Sequence, residues 1–223
     1  VIYPPTGGPV VRYHEVSNSI DTLNKAVAQA QGITFTQHDR FRPSGHAVEV
    51  GMELTSGWRN YIARVPDLFH DPLKSGARLG FVANGDTHRR APGLSGALTG
   101  IYARELTVEA IFEALRNRRC FATNGSRILV DARANGIFMG QDVMIKDNAV
   151  NLTLRSVGTR PIVSVVLIRD GEEIQRFPGN GKREIKLSYR DQELSSGTHW
   201  YYWRISQAQD APVLPGNMMA AYG

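Results

Sequence analysis

The sequence predicts an α/β layer over residues 1–123 followed by an all-β layer over residues 124–223, and three observations predict it. Up to about Thr123, apolar spacing alternates between helical and strand periods. Beyond that point the helical period disappears and short strand-like runs follow one another. Those runs are separated by pairs such as Asn135-Gly136 and Asp170-Gly171, the residue chemistry of tight hairpins. The chain of 223 residues, 42% apolar and 21% charged, is long enough to bury a core as one large or two small units.

In chain order, Ser19 is placed to cap a helix through Leu23, Val27 and Ala30, which Gly32 stops. Ile33–Thr36 reads as a short buried strand. The stretch from Tyr61 to Lys74 is helical but carries Pro66 and Pro72, so two short pieces are expected. Arg78–Ala83 and Leu98–Ala103 are further strands. Thr107 is an N-cap for a helix whose Val108, Ile111, Phe112 and Leu115 form one apolar stripe. Strand and helix in alternation predict a parallel layer. Past Thr123, strands are expected at Arg127–Arg133, Val150–Val157, Ile162–Arg169, Glu172–Phe177, Glu184–Tyr189 and Thr198–Ser206. Six short strands in about 100 residues predict an antiparallel β-sandwich of the immunoglobulin-like kind. The tail from Ala211 to Gly223 is rich in Pro, Gly and Met.

Composition excludes several function classes. The net charge of +5 is spread evenly: residues 1–123 carry 14 basic and 11 acidic side chains, and residues 124–223 carry 12 and 10. No nucleic-acid footprint is concentrated anywhere. No apolar run approaches the ~18 residues of a membrane span, and no basic-then-apolar segment opens the chain. The one cysteine, Cys120, excludes an internal disulfide and a cysteine-based zinc cluster. No P-loop, dinucleotide glycine pattern or Gly-x-Ser-x-Gly is present.

The residues that point to chemistry lie where strands end. Asp86-Thr87-His88 follows the strand Leu79–Ala83, and residues i and i+2 on an extended segment point the same way. A carboxylate and an imidazole so placed can converge on one metal ion. His38-Asp39 follows Ile33–Thr36 in an equivalent position, and ligands of α/β folds collect at the carboxyl ends of strands. Glu49, an acidic residue in the apolar run Ala47–Val50, is a candidate to support a metal ligand, as is Asp39. Arg89 and Arg90 follow the Asp-x-His pair and could hold an anionic group. His14, His46, His70 and His199 lack such a context, and His199 alternates with Tyr201 and Trp203 along a strand. The run Trp200–Trp203 gives an alternative reading, a non-catalytic binding or structural module. One aromatic pair would be core and the other would meet a sugar or a partner surface.

The run Gly80–His88, with Pro92-Gly93, Leu98–Ala103 and Leu106–Gly125, resembles the PHP (polymerase and histidinol phosphatase) superfamily, more narrowly its CehA/McbA and DUF3604-type metallohydrolase branch. The resemblance covers roughly Gly32 to Gly140, with a similar β-rich part beyond. It implies a (β/α) barrel holding divalent ions (Zn, Mn or Fe) at the strand ends. The late Asp-x-His motif would fall on Asp86 and His88, and the mid-chain histidine on His38. It implies a metal-dependent hydrolase acting on phosphoester, ester or carbamate bonds of a small molecule. The family's opening His-x-His has no counterpart, and a closed barrel takes ~250 residues. The expected chain is therefore the C-terminal half of such a barrel plus the sandwich, with an incomplete metal site that binds metal weakly or not at all. The missing N-terminal half would be its partner, and compartment and oligomeric state are not readable from the sequence.

Overall fold

The computed structural model describes residues 1–12, 19–57, 59–86, 96–192 and 194–208. Ser19 Oγ accepts the Thr22 N–H at 3.2 Å and opens helix α1 (Ile20–Gln29). Strand β1 (Thr34–Thr36) follows, then β2 (Glu49–Ser56), which is buried along its whole length. A strand with no exposed face has to be covered on both sides. Pro66 splits the next helical stretch into α2 (Tyr61–Arg64) and α3 (Pro66–Lys74), sitting at the first position of α3, where a missing N–H costs nothing. Strand β3 (Gly80–Asn84) then lies parallel to β2, giving an open sheet in the order β1-β2-β3 with β2 in the middle.

Strand β4 (Leu98–Ile101) leads to helix α4 (Val108–Arg116), capped by Thr107, and to β5 (Cys120–Thr123). Of the apolar stripe on α4, Phe112 and Leu115 are buried, Ile111 is half-buried against them and Val108, at the helix start, stays exposed. Ile33, Val50, Val82, Phe112, Leu115 and Cys120 make one core cluster. Met52, Leu54, Tyr61, Leu68, Phe69 and Leu73 make a second, between β2 and helices α2 and α3. Each such side chain contributes roughly 1.5–3 kcal/mol by leaving water.

The remaining strands are β6 (Leu129–Ala134), β7 (Ile137–Phe138), β8 (Val150–Val157), β9 (Ile162–Arg169), β10 (Glu172–Pro178), β11 (Glu184–Asp191) and β12 (Tyr201–Gln207). They form two antiparallel sheets, β11-β8-β6-β7 and β10-β9-β12. Val130, Leu154 and Ile185 of the first sheet meet Ile162 and Val165 of the second in a common core. The hairpins at Asn135-Gly136 and Asp170-Gly171 hold two successive residues at positive φ (48° and 80°, 54° and 95°), the conformation that suits the twist of a two-residue hairpin.

The expected fold class is corrected. The described residues are mostly β, in four open sheets, and no β/α barrel closes, so a partial PHP-type barrel is not what this chain forms. Three parallel strands cannot close a ring that needs about eight. The expected parallel continuation also fails, because β4 and β5 pair antiparallel, Leu98 opposite Thr123 and Ile101 opposite Cys120. The outer side of β1 meets only an antiparallel bridge among the described residues, Ile2 to Ile33.

Candidate functional site

The parallel sheet sets its three exits side by side. Thr36 of β1 is in register with Met52, and Ser56 of β2 with Asn84, so the chain leaves β1, β2 and β3 on one edge. His38 and Asp39 follow β1, Gly57 follows β2, and Gly85 and Asp86 follow β3. His38 and Asp86 both have positive φ, 75° and 47°. Left-handed backbone is uncommon outside glycine; among the described residues Gln31, Arg118, Asn135, Asp170 and Asn180 also adopt it.

The centre of this edge is Glu53, only 1% exposed. Its Oε2 accepts the His38 backbone N–H at 3.0 Å, and its Oε1 accepts from the Asn84 side-chain amide at 2.9 Å. One carboxylate thereby ties all three strand exits together. Burial pushes the Glu53 carboxyl above the usual carboxylate range and Asp86 adds to the rise, against the pull of the Asn84 and His38 hydrogen bonds and the His38 charge. Tyr61, fully buried, sets its ring 5.2 Å from that of His38, tilted by 34°, and donates its hydroxyl to Ser56 Oγ at 2.9 Å. Burial, with the nearby charges of Glu53, Asp86 and Asp39, raises the Tyr61 phenol too. Asp39 lies 3.2 Å from His38 Nδ1 and 3.6 Å from Arg64, so it orients the imidazole and meets a cation that reaches in from α2.

Of the sequence-derived site residues, His38, Asp39 and Asp86 fall on this edge. His88, Arg89 and Arg90 lie outside the described residues. Glu49 lies four residues before Glu53 on the same strand. At the start of β2 it accepts from the Ser44 N–H (2.6 Å), the Ser44 hydroxyl (3.0 Å) and the Gly45 N–H (3.2 Å), and from the Thr36 hydroxyl. It pins the loop that connects β1 to β2. The carboxylate that joins the strand exits is Glu53, four residues on, which the sequence reading passed over. The signal was the same one that singled out Glu49, an acidic residue inside an apolar strand.

Among the described residues, no group of three or more His, Cys, Asp or Glu side chains is arranged to hold a metal ion. His38 and Asp86 are suitable donor types, but the described residues do not supply a full set. Nor does the Trp200–Trp203 run present a free aromatic face. Trp200 and Tyr202 are stacked, 6.1 Å apart and 4° from parallel, and pack on His70 and Phe81 of the first half. Tyr201 and Trp203 join the core between the two antiparallel sheets.

Comparison with known proteins fits this mixed picture. Residues 55–157 match the family DUF3604, described as a protein of unknown function. That match corrects the resemblance drawn from the sequence, since it is to DUF3604 and not to the PHP superfamily. Uncharacterized proteins of Chlamydia trachomatis serovar D, Chlamydia muridarum and Chlamydia pneumoniae are 26%, 25% and 28% identical to the chain in alignments of 167 positions that cover 62% of its length. The chain spans about a quarter (26%) of the length of these relatives. No solved structure matches it.

Proposed function

We propose that the edge formed by the ends of β1, β2 and β3 is part of a hydrolase site that works with a divalent cation on an ester or phosphoester bond. The observation that carries this reading is the buried Glu53, held against His38 and Asn84 beside Asp86, with its carboxyl shifted upward. Groups with that combination of burial, shift and neighbouring charge concentrate where proton transfer is done.

His38, Asp86 and His88 are the donors this reading assigns to the cation, a mixed imidazole and carboxylate set of the kind that suits Zn, Mn or Fe. Further donors would come from the whole protein. A bound divalent ion would supply an activated water and neutralise charge on the attacked centre. The chain's own residues have separate tasks. Glu53 would exchange a proton at the strand edge. Asp39 fixes the His38 ring. Arg89 and Arg90 would bind an anionic group of the substrate.

The test is turnover of p-nitrophenyl phosphate, bis(p-nitrophenyl) phosphate and p-nitrophenyl acetate by the full-length protein, with added Mn²⁺ or Zn²⁺. Cleavage of at least one, falling roughly 100-fold or more in Glu53→Gln and in Asp86→Asn, is expected. Turnover that survives both substitutions unchanged would remove this site from the chemistry.

A further inference from the structure

The hairpin Asp170-Gly171, between β9 and β10, sits between two histidines that no step above uses. On one side, His199 Nδ1 is 2.5 Å from Asp170 Oδ2, and its Nε2 is 3.1 Å from the Ser195 carbonyl oxygen. Both ring nitrogens face oxygen acceptors, so the doubly protonated imidazolium is the form whose hydrogen bonds are all made. The Ser195 hydroxyl lies farther from Nε2, at 3.3 Å. Asp, His and Ser are thus in line, but a charged ring bound to a carbonyl is not a base for that hydroxyl.

On the other side stands His70 of α3, 8% exposed. Its Nε2 is 3.1 Å from the Tyr202 hydroxyl, and its ring lies 5.3 Å from that of Trp200. A Cβ at position 171 would come 3.1 Å from His70 Nδ1, so the hairpin approaches the imidazole closely. An aromatic, closely packed seat of this kind favours the neutral ring. The charged groups around His70 are Lys74, Asp67 and Asp71 of its own helix and Glu172 of β10, with the Tyr202 phenol from β12. Around His199 they are Asp170 and Arg169 of the hairpin, with the Ser195 carbonyl from the preceding loop.

We propose that this hairpin is a pH-bounded clamp, in which a charged His199 ties it to the 194–199 loop and a neutral His70 seats it on α3, so that the joint between the two halves is tightest between the titrations of the two rings and loosens on either side. The directions are opposite for the two rings. The Asp170 hydrogen bond holds His199 above the ordinary histidine value of 6.5, whereas burial and Lys74 hold His70 below it. His199's contribution is complete below 6.5 and is lost as pH rises through its folded value. His70's contribution is complete above 6.5 and is lost as pH falls toward its folded value. The interval therefore centres near pH 6.5. Because α3 packs Leu68, Phe69 and Leu73 on Met52 and Leu54 of β2, the clamp bears on the strand that carries Glu53.

Two amides report the joint directly. Asp170 N–H donates to the Trp200 carbonyl and Trp200 N–H to Asp170 Oδ1, each at 3.0 Å. Hydrogen-exchange protection factors of these amides in the full chain, from pH 5.5 to 8, should be greatest near 6.5. They should fall on both sides, by up to about tenfold for each unit a histidine is displaced. Asp170→Asn should flatten the high-pH side and His70→Gln the low-pH side. Imidazole NMR titration of the unmodified chain gives a check that does not depend on variants folding, with His199 titrating above 6.5 and His70 below. Protection that does not depend on pH, variants that keep the original profile, or histidines that titrate in the reverse order would overturn the clamp.

Discussion

Two buried carboxylates, one in each half of the molecule, are treated in opposite ways. Asp191 of β11 is 3% exposed and is met by Arg169 through two hydrogen bonds of 2.8 and 3.0 Å and by the Tyr201 hydroxyl at 2.9 Å. A full positive charge, with Arg169 Nη1 bonded to both carboxylate oxygens, and the Tyr201 hydroxyl answer its charge, and the result cross-links β9, β11 and β12. Glu53 of β2 is buried still deeper and is met by neutral donors, a backbone N–H and an amide, with Asp86 close enough to oppose its ionisation. Burial with a counter-ion makes a joint. Burial with neutral donors, and only a small pull from the His38 charge, holds the carboxyl above its usual range at the cost of stability. The difference separates a structural polar site from a candidate chemical one, although both look alike as acidic letters inside apolar strands.

The largest expected effect breaks the structural member of this pair. Arg169→Met leaves Asp191 buried beside Tyr201 without its guanidinium, and losing one partner of a buried pair costs about 3–5 kcal/mol. Urea unfolding should show that loss, while hydrolysis by the folded protein stays at its original rate.

A smaller change supplies the control in the first half. The Thr107 side chain accepts the Ala110 N–H at 3.3 Å and caps α4. Thr107→Ala should cost about 1 kcal/mol in thermal unfolding. It should leave the pH dependence of turnover untouched, because α4 packs on the sheet away from Glu53's partners.

The sequence was a good guide to local structure and a poor one to partnership. Strand β8 alternates buried and less buried positions along all eight residues, so its ends and its core face could be read from period alone. Both Gly-containing hairpins and the Ser19 and Thr107 caps were legible because each depends on chemistry within four residues. Strand direction has no such local signature. Leu98–Ile101 reads the same whether its neighbour runs parallel or antiparallel, and the antiparallel β4–β5 pair and the open sheets replaced the barrel for that reason. The choice between Glu49 and Glu53 was also hidden. Both lie in β2, and only the three-dimensional neighbours show that one holds a loop and the other the strand exits. His199 looked like a packing residue on a strand, yet it precedes β12 and binds a carboxylate 29 positions away.

The most direct measurement is the pH dependence of p-nitrophenyl ester and phosphoester hydrolysis by the full-length protein, compared with its Glu53→Gln variant. The substitution suits the site, since a glutamine oxygen can accept the His38 N–H while its amide meets the Asn84 side chain turned over. A proton exchanged by Glu53 during turnover should give the unmodified protein a carboxyl limb in its pH–rate profile. The variant should lose that limb together with most of the rate. It should also lose the fall in stability that the unmodified protein suffers as pH rises through the shifted value. An identical profile at an unreduced rate would show that the carboxylate joining the three strand exits takes no part in the chemistry.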